Sequence, residues 1–196
     1  MDTKYSKLIR SAVDILNAGG IVAFPTDTVY GIAAMPLNKK AVRKLYNIKK
    51  REKKKPVALL ISSKKVAAKF AANIPAGARK LISMHWPGAL TLIFRKKSSV
   101  PDFLTSGLPS IGIRMPENKI ALALIGKAGG ALAVTSANIS GKKSAVSADQ
   151  IKKLKGIDLI IDGGRCKIGV PSSVIAVTGG KLRVLRRGSV KIGSQV

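Results

Sequence analysis

The sequence predicts an α/β fold built around a mixed sheet. Helix-period stretches and short apolar runs alternate along the first part of the chain, and strand-like runs crowd the C-terminal third. That order favours a mixed sheet over a purely parallel one. Apolar residues make up 46% of the 196 residues and are spread along the whole length, enough for a substantial core and too many for a disordered basic tail. The length suits one domain, read as residues 1–196.

The elements follow in order. Leu8, Ile9, Ala12, Ile15 and Leu16 recur at helical spacing before Gly19-Gly20, which predicts a helix over about 4–18. Ile21–Phe24 is a short strand that runs into a loop at Pro25. Asn38 can cap a second helix carrying Ala41, Val42, Leu45, Tyr46 and Ile48, and Val57–Ile61 reads as the next strand. Further strands are expected at Ala89–Phe94, Ile111–Arg114, Ala131–Thr135, Leu159–Asp162, Ser173–Val177 and Leu182–Leu185. Helices are expected at about 64–72, 76–84, 117–127 and 148–155.

Charge narrows the partners. Thirty-six Lys+Arg stand against 9 Asp+Glu, a formal net charge of +27, and such self-repulsion calls for an anionic ligand. From Lys39 to Lys55, 10 of 17 positions are basic. Nucleotide phosphates, nucleic acid and an anionic membrane surface are the candidate partners. No apolar run reaches the roughly 20 residues that span a bilayer, and the N-terminus lacks a secretory apolar stretch, so a cytoplasmic location is expected. One cysteine, Cys166, and one histidine, His85, cannot build the usual four-ligand zinc site, so no structural metal is expected. His85 beside Trp86-Pro87 reads as a structural contact, and Cys166 as a small buried residue.

The two common phosphate-binding signatures are absent. Gly141-Lys142-Lys143-Ser144 resembles the end of a P-loop, but the residue five before Gly141 is Ser136 rather than Gly. Gly163-Gly164 does not continue as GxGxxG. A nucleotide would therefore be held by Lys/Arg charges, hydroxyls and backbone N–H groups converging from separate loops. Five segments beside apolar strands offer such groups: Pro25–Gly31, Lys49–Pro56, Thr135–Gly141, Pro171–Val174 and Leu185–Gly188. Each also has a plain structural reading, since hydroxyl-rich segments cap helices and make turns and a lone arginine is often a surface charge. Asp27 is expected to cap its own turn, with a ligand amine or Mg2+ as the alternative; Tyr30 could line a pocket or belong to the core.

Taken together and in order, PTDTVYG at 25–31, IKKREKKKP at 48–56, WPGALTLIF at 86–94, IGIRMP at 111–116, TSANISG at 135–141, DGG at 162–164, PSSVI at 171–175 and VLRRG at 184–188 resemble the Sua5/YrdC/YciO family, and specifically its single-domain threonylcarbamoyl-AMP synthases. The resemblance runs from about Leu8 to Arg187, with no counterpart of the C-terminal Sua5 domain of longer members. It implies a twisted open mixed sheet with flanking helices and a basic concave face. It also implies an enzyme, a nucleotidyltransferase that joins L-threonine, bicarbonate and ATP into threonylcarbamoyl-AMP and pyrophosphate. A downstream transferase complex would use that product to modify adenosine 37 of tRNA.

The matched positions carry the implied roles. Lys49, Arg51, Ser136 and Asn138 resemble the family's Lys-x-Arg and Ser-x-Asn tetrad, here the catalytic set, with Lys49 lending charge from the basic loop. Arg51, Lys55, Ser110, Ser136, Ser144 and Arg186 are the implied ATP contacts, with Mg2+ accompanying the nucleotide. Thr28, Arg114, Ser172 and the backbone at Val134 form the implied threonine clamp, Arg114 taking the carboxylate bidentately. Asn138 would orient a phosphate or the carbamate. The chain departs from the pattern at Leu60, where many longer members carry a histidine, and at Ser172-Ser173-Val174, which replaces Ser-Thr-Val. Two other readings compete: a non-catalytic module binding tRNA or double-stranded RNA through phosphates, and carbamoyl transfer as in the related domain of hydrogenase maturation factors.

Overall fold

A computed structural model describes residues 3–50, 56–178 and 181–191. Its helices are α1 (Thr3–Asn17), α2 (Lys39–Lys49), α3 (Ala67–Phe70), α4 (Ala76–His85), α5 (Asp102–Thr105) and α6 (Lys119–Lys127). Its strands are β1 (Val22–Phe24), β2 (Gly31–Ala34), β3 (Ala58–Ile61), β4 (Leu90–Arg95), β5 (Ser110–Arg114), β6 (Ala131–Ser136), β7 (Leu159–Ile160), β8 (Ser173–Thr178) and β9 (Lys181–Arg186). They form one nine-stranded sheet in the order β7-β1-β2-β6-β3-β5-β4-β8-β9. Three neighbouring pairs are parallel (β1 with β7, β3 with β5, β4 with β8) and the other five antiparallel, so the sheet is mixed as the element order predicts.

Period-two alternation sorts each strand between two cores. Ile21 and Ala23, Ile32 and Ala34, Leu59 and Ile61, Ile111 and Ile113, and Leu90, Leu92 and Phe94 face one side, where Ala41, Val42 and Leu45 of α2 and Ala78, Leu81 and Ile82 of α4 close over them. Val22, Phe24, Ala33, Leu132 and Val134 face the other, under Ile9, Ala12 and Leu16 of α1 and Ala121, Leu124 and Ile125 of α6. Asn38 and Asn118 start α2 and α6 by accepting from Ala41 N and Ala121 N, both at 3.0 Å.

The structure differs from the sequence reading in four places. Gly31–Ala34, to which the sequence reading assigns no strand, is β2 and pairs with both β1 and β6. Residues 148–155 are not a helix: Ile151 N and Leu154 N bond three residues back, to Ala148 O and Ile151 O at 2.9 and 2.7 Å, giving successive tight turns. Of that segment's apolar side chains only Ala148 and Ile151 are buried, at 5% and 0% exposure, which leaves no continuous helical stripe to pack. The helix expected at 64–72 is a 3-10 turn at Lys64–Val66 followed by the single turn of α3. The four-residue α5 has no counterpart in the sequence reading.

Candidate functional site

Helices α1 and α6 pack over the β1, β2 and β6 part of their face. Beyond them, over β3, β5, β4 and β8, the same face lines a cleft of about 640 Å3. Its floor follows from strand alternation. Val134, Ala58, Gly112 and Ile93 are successive cross-strand neighbours, and Ala58 and Gly112 leave the room that larger side chains would fill. Two residues along each strand stand Ser136, Leu60, Arg114 and Thr91, which therefore share that face.

Arg114 brings a positive charge into the cleft. It is buried and donates from Nε to Gly88 O (2.9 Å), from one terminal nitrogen to Thr28 Oγ1 (2.8 Å), and from the other to Asp27 Oδ1 in a buried ion pair. The WPGAL segment thus contributes a carbonyl: Gly88 sits where a Cβ would come within 2.6 Å of His85 O. Asp27 Oδ1 also accepts from Glu117 N at 3.2 Å, while Asp27 Oδ2 is buried without a partner. Burial pulls the Arg114 guanidinium below its ordinary value, Asp27 opposes that, and Arg186 lowers it further.

Asp27 does not cap its turn, contrary to the sequence reading. Thr26 does that work: its Oγ1 accepts from Thr28 N at 3.1 Å and from Val29 N at 3.2 Å, which frees the Asp27 carboxylate to hold Arg114. Thr28, predicted for the threonine clamp, is fully buried, and Thr26 Oγ1 and Thr28 Oγ1 lie 3.0 Å apart. Tyr30 belongs to the core and lines the cleft as well. Its hydroxyl donates to Gly164 O at 2.8 Å and accepts from Gly163 N at 3.2 Å, and burial pushes its pKa up to about 12. The DGG segment is thereby tied to the first loop. Cys166 is buried as expected, and burial raises its thiol pKa.

The opposite wall is built from PSSV and VLRRG. Arg186 donates from Nε to Ser172 O at 3.0 Å and from a terminal nitrogen to Ser172 Oγ at 3.2 Å; Ser172 Oγ lies 2.8 Å from Thr91 Oγ1. Ser173 Oγ accepts from Gly188 N and Val190 N at 3.0 and 3.2 Å, which fastens the segment after β9. Gly188 has to be glycine here, because a Cβ would stand 2.3 Å from Pro171 O and 2.5 Å from Ser173 N.

Of the predicted site residues, Thr28, Arg114, Val134, Ser136, Ser172 and Arg186 line this one cleft. Ser110 lies on the same face of β5, two residues before Gly112, and Ser144 is half-buried next to Ala145, whose carbonyl accepts from Tyr30 N at 2.9 Å; neither is among the described residues lining the cleft. Arg51 and Lys55 lie outside the described residues. Lys49 sits in the last turn of α2, not in the basic loop, and is only 2% exposed. Its ammonium reaches Ser136 O (2.7 Å), Asn138 Oδ1 (2.7 Å) and Asn138 O (3.0 Å), so Lys49 of α2 meets Ser136 at the end of β6 and Asn138 just beyond it. Thr26, Thr91, Pro171 and Leu185 also line the cleft. Thr91 could have been found from its alternation with Leu90 and Leu92 in β4. Among the described residues no helix is long and apolar enough to cross a membrane, and no group of three His, Cys, Asp or Glu could hold a metal ion.

Comparison with known proteins agrees with this architecture. The Sua5/yciO/yrdC family model, described as telomere recombination, matches residues 14–188. A putative threonylcarbamoyl-AMP synthase of Methanocaldococcus jannaschii is 43% identical over 183 residues, covering 91% of this chain and 84% of the relative. The threonylcarbamoyl-AMP synthase of Pyrococcus abyssi is 40% identical over 94% of this chain, which spans only 55% of that protein. The crystal structure of Pyrococcus abyssi Sua5 complexed with L-threonine superposes with a TM-score of 0.88 at 41% identity, covering 92% of this chain and 54% of that one. Escherichia coli YciO superposes with a TM-score of 0.85 at 30% identity, covering 93% of this chain and 89% of the other.

Proposed function

The chain belongs to the Sua5/YciO/YrdC family, and on that premise we propose that it is a threonylcarbamoyl-AMP synthase acting on L-threonine, bicarbonate and ATP. The observation that carries the reading is the joining of Arg114, Thr28 and Ser172 to Arg186 in one cleft of about 640 Å3. That arrangement offers a hydroxyl-and-guanidinium clamp for an amino acid next to cationic charge for phosphates.

The chemistry asks little covalent work of the protein. The threonine amine and bicarbonate condense to a carbamate with loss of water, and a carbamate oxygen attacks the α-phosphorus of ATP; a P–O bond forms to the carbamate and the bond to pyrophosphate breaks. No enzyme nucleophile is required, and catalysis comes from alignment and neutralisation of phosphate charge. Arg114 takes the threonine carboxylate with the second N–H on each terminal nitrogen, and Thr28, Ser172 and the Val134 backbone complete the clamp. Arg186, with Arg51 and Lys55 of the basic segment, neutralises the phosphates. Mg2+ enters as the counter-ion of ATP, and we assign it no protein ligand. The 196 residues act as one YrdC-like domain, with tRNA and a downstream transferase complex as partners.

The test is incubation with ATP, threonine and bicarbonate, followed by assay of pyrophosphate and of an adenylated threonine derivative. Release that needs all three substrates is expected. The net charge of +27 favours RNA binding as the second reading. Tight tRNA binding with no pyrophosphate release would replace the enzyme by that module.

A further inference from the structure

The Lys49, Ser136 and Asn138 side chains can be checked donor by donor. An ammonium carries three N–H groups, and Lys49 Nζ points them at Ser136 O (2.7 Å), Asn138 Oδ1 (2.7 Å) and Asn138 O (3.0 Å), with Ser136 Oγ more distant at 3.3 Å. Asn138 Nδ2 donates to Ile139 O at 2.9 Å and to Lys142 O at 2.7 Å, so both amide hydrogens are engaged and the amide can face only one way. Its Oδ1 must then be the acceptor of the 2.7 Å bond from Ser136 Oγ. The Ser136 hydroxyl hydrogen is thereby committed to Asn138. What remains on the one member of the three that lines the cleft is a lone pair.

A phosphate oxygen is itself an acceptor and gains nothing from a lone pair. We propose that Lys49 and Asn138 are positioning residues that touch no substrate, and that Ser136 Oγ meets the bound nucleotide as a hydrogen-bond acceptor. It would then select a ligand N–H or O–H, a ribose hydroxyl or the exocyclic amine of the base. This rests on the ATP reading above. It reverses the roles implied by the sequence resemblance, in which Lys49 lends charge and Asn138 orients a phosphate or carbamate. Lys49 is 2% exposed and its ammonium donates to Ser136 O and Asn138 O, so it ties the last turn of α2 to the end of β6 and the loop that follows. Ser140 N, donating to Lys49 O at 2.8 Å, closes the tie from the other side.

The experiment compares binding of ATP, 2′-deoxy-ATP, 3′-deoxy-ATP, purine riboside triphosphate and inorganic tripolyphosphate to the wild type, Ser136→Ala and Lys49→Met. In the wild type one of the three analogues, each lacking a single donor, is expected to bind roughly ten-fold more weakly than ATP. That penalty should collapse to within about two-fold in Ser136→Ala and in Lys49→Met, while tripolyphosphate binds all three proteins alike. Ser136→Cys, a weaker acceptor of similar size, should give an intermediate penalty and serves if the alanine variant does not fold. A drop in tripolyphosphate affinity in Ser136→Ala or Lys49→Met comparable to the drop for ATP overturns the proposal, as does an unchanged analogue penalty in both variants. Failure of the wild type to bind ATP would overturn the synthase reading instead. In that case the network is judged without ligand, by a slowly exchanging 15Nζ ammonium signal from Lys49 that tripolyphosphate does not shift; absence of that signal overturns it.

Discussion

Removing the Asp27 carboxylate is the sharpest perturbation the site offers. Asp27 and Arg114 form a buried pair with side-chain exposures of 3% and 7%, so neither charge has water to fall back on. Deleting one partner of such a pair typically costs about 3–5 kcal/mol, because the other is left as an uncompensated buried charge. Asp27→Ala should fall in that range. Asp27→Asn keeps an oxygen for Glu117 N, 3.2 Å from Asp27 Oδ1, and loses only the charge. Its cost should be nearer the roughly 1.5–3 kcal/mol of a charged hydrogen bond. The assay is urea unfolding at neutral pH. With a slope of about 2 kcal/mol per molar urea, the alanine variant should unfold about 2 M earlier than the wild type and the asparagine variant about 1 M earlier. Threonine binding, followed by calorimetry on the asparagine variant, should weaken while ATP binding holds. The guanidinium keeps its bonds to Gly88 O and Thr28 Oγ1 but is held at Asp27 by a neutral oxygen in place of the carboxylate that sets its tilt. A midpoint within about 0.3 M of wild type for Asp27→Ala, with unchanged threonine affinity, would refute the claim that Asp27 holds Arg114.

Other expectations follow from the same geometry. Arg114→Lys should impair threonine use more than ATP binding, since lysine cannot reach Gly88, Thr28 and Asp27 at once; calorimetry with each substrate separates the two, and loss of ATP affinity alone would show the clamp assignment to be wrong. Arg51→Ala and Lys55→Ala should weaken ATP use with the fold intact, by about 1.5–3 kcal/mol for each lost phosphate contact, and normal turnover in both would remove the basic segment from the site. Gly188→Ala should destabilise by about 1–3 kcal/mol and lower activity, because the new Cβ meets backbone that cannot yield and pushes Arg186 off Ser172; equal melting temperatures would contradict this. Tyr30, with a folded pKa of about 12 against 10 unfolded, keeps its proton in the native state where the unfolded chain loses it. Its stabilisation is therefore complete below pH 10 and declines by roughly 1.4 kcal/mol per pH unit from there to pH 12, a slope that Tyr30→Phe should abolish.

Most of the sheet was legible because its strands advertise themselves through alternation: Leu90, Leu92 and Phe94 against Thr91 and Ile93 read the same way in sequence and in space. Gly31–Ala34 was not legible, since a glycine, two alanines and one isoleucine carry almost no strand signal, and only pairing on both sides with β1 and β6 makes them a strand. The false helix at 148–155 shows the converse, a local pattern with too few buried contacts to propagate. Among the proposed site residues, the motifs pointed to several that the structure brings into one cleft, as with Arg114 and Ser172. Those whose function lies in a partner distant in sequence were not. Asp27 finds Arg114 across 87 residues and Lys49 finds Ser136 across the same separation, and local spacing holds no trace of either meeting.

The charge imbalance and the cleft geometry belong to one account. Arg186 lies close enough to disfavour the charge on Arg114, and Asp27, bonded to Arg114, favours it. The cleft thus brings two guanidiniums together over a floor of Ala58, Gly112 and Ile93, which contribute no compensating dipoles beyond their backbone. ATP, bicarbonate and the threonine carboxylate are all anions, and each that binds relieves repulsion that the folded state otherwise bears. Substrate binding and fold stability are then linked with the same sign: the ligands that the chemistry requires are also those that make the native state most stable. Those ligands bring only a few negative charges against a net +27, so the linkage is local to the guanidiniums of the cleft.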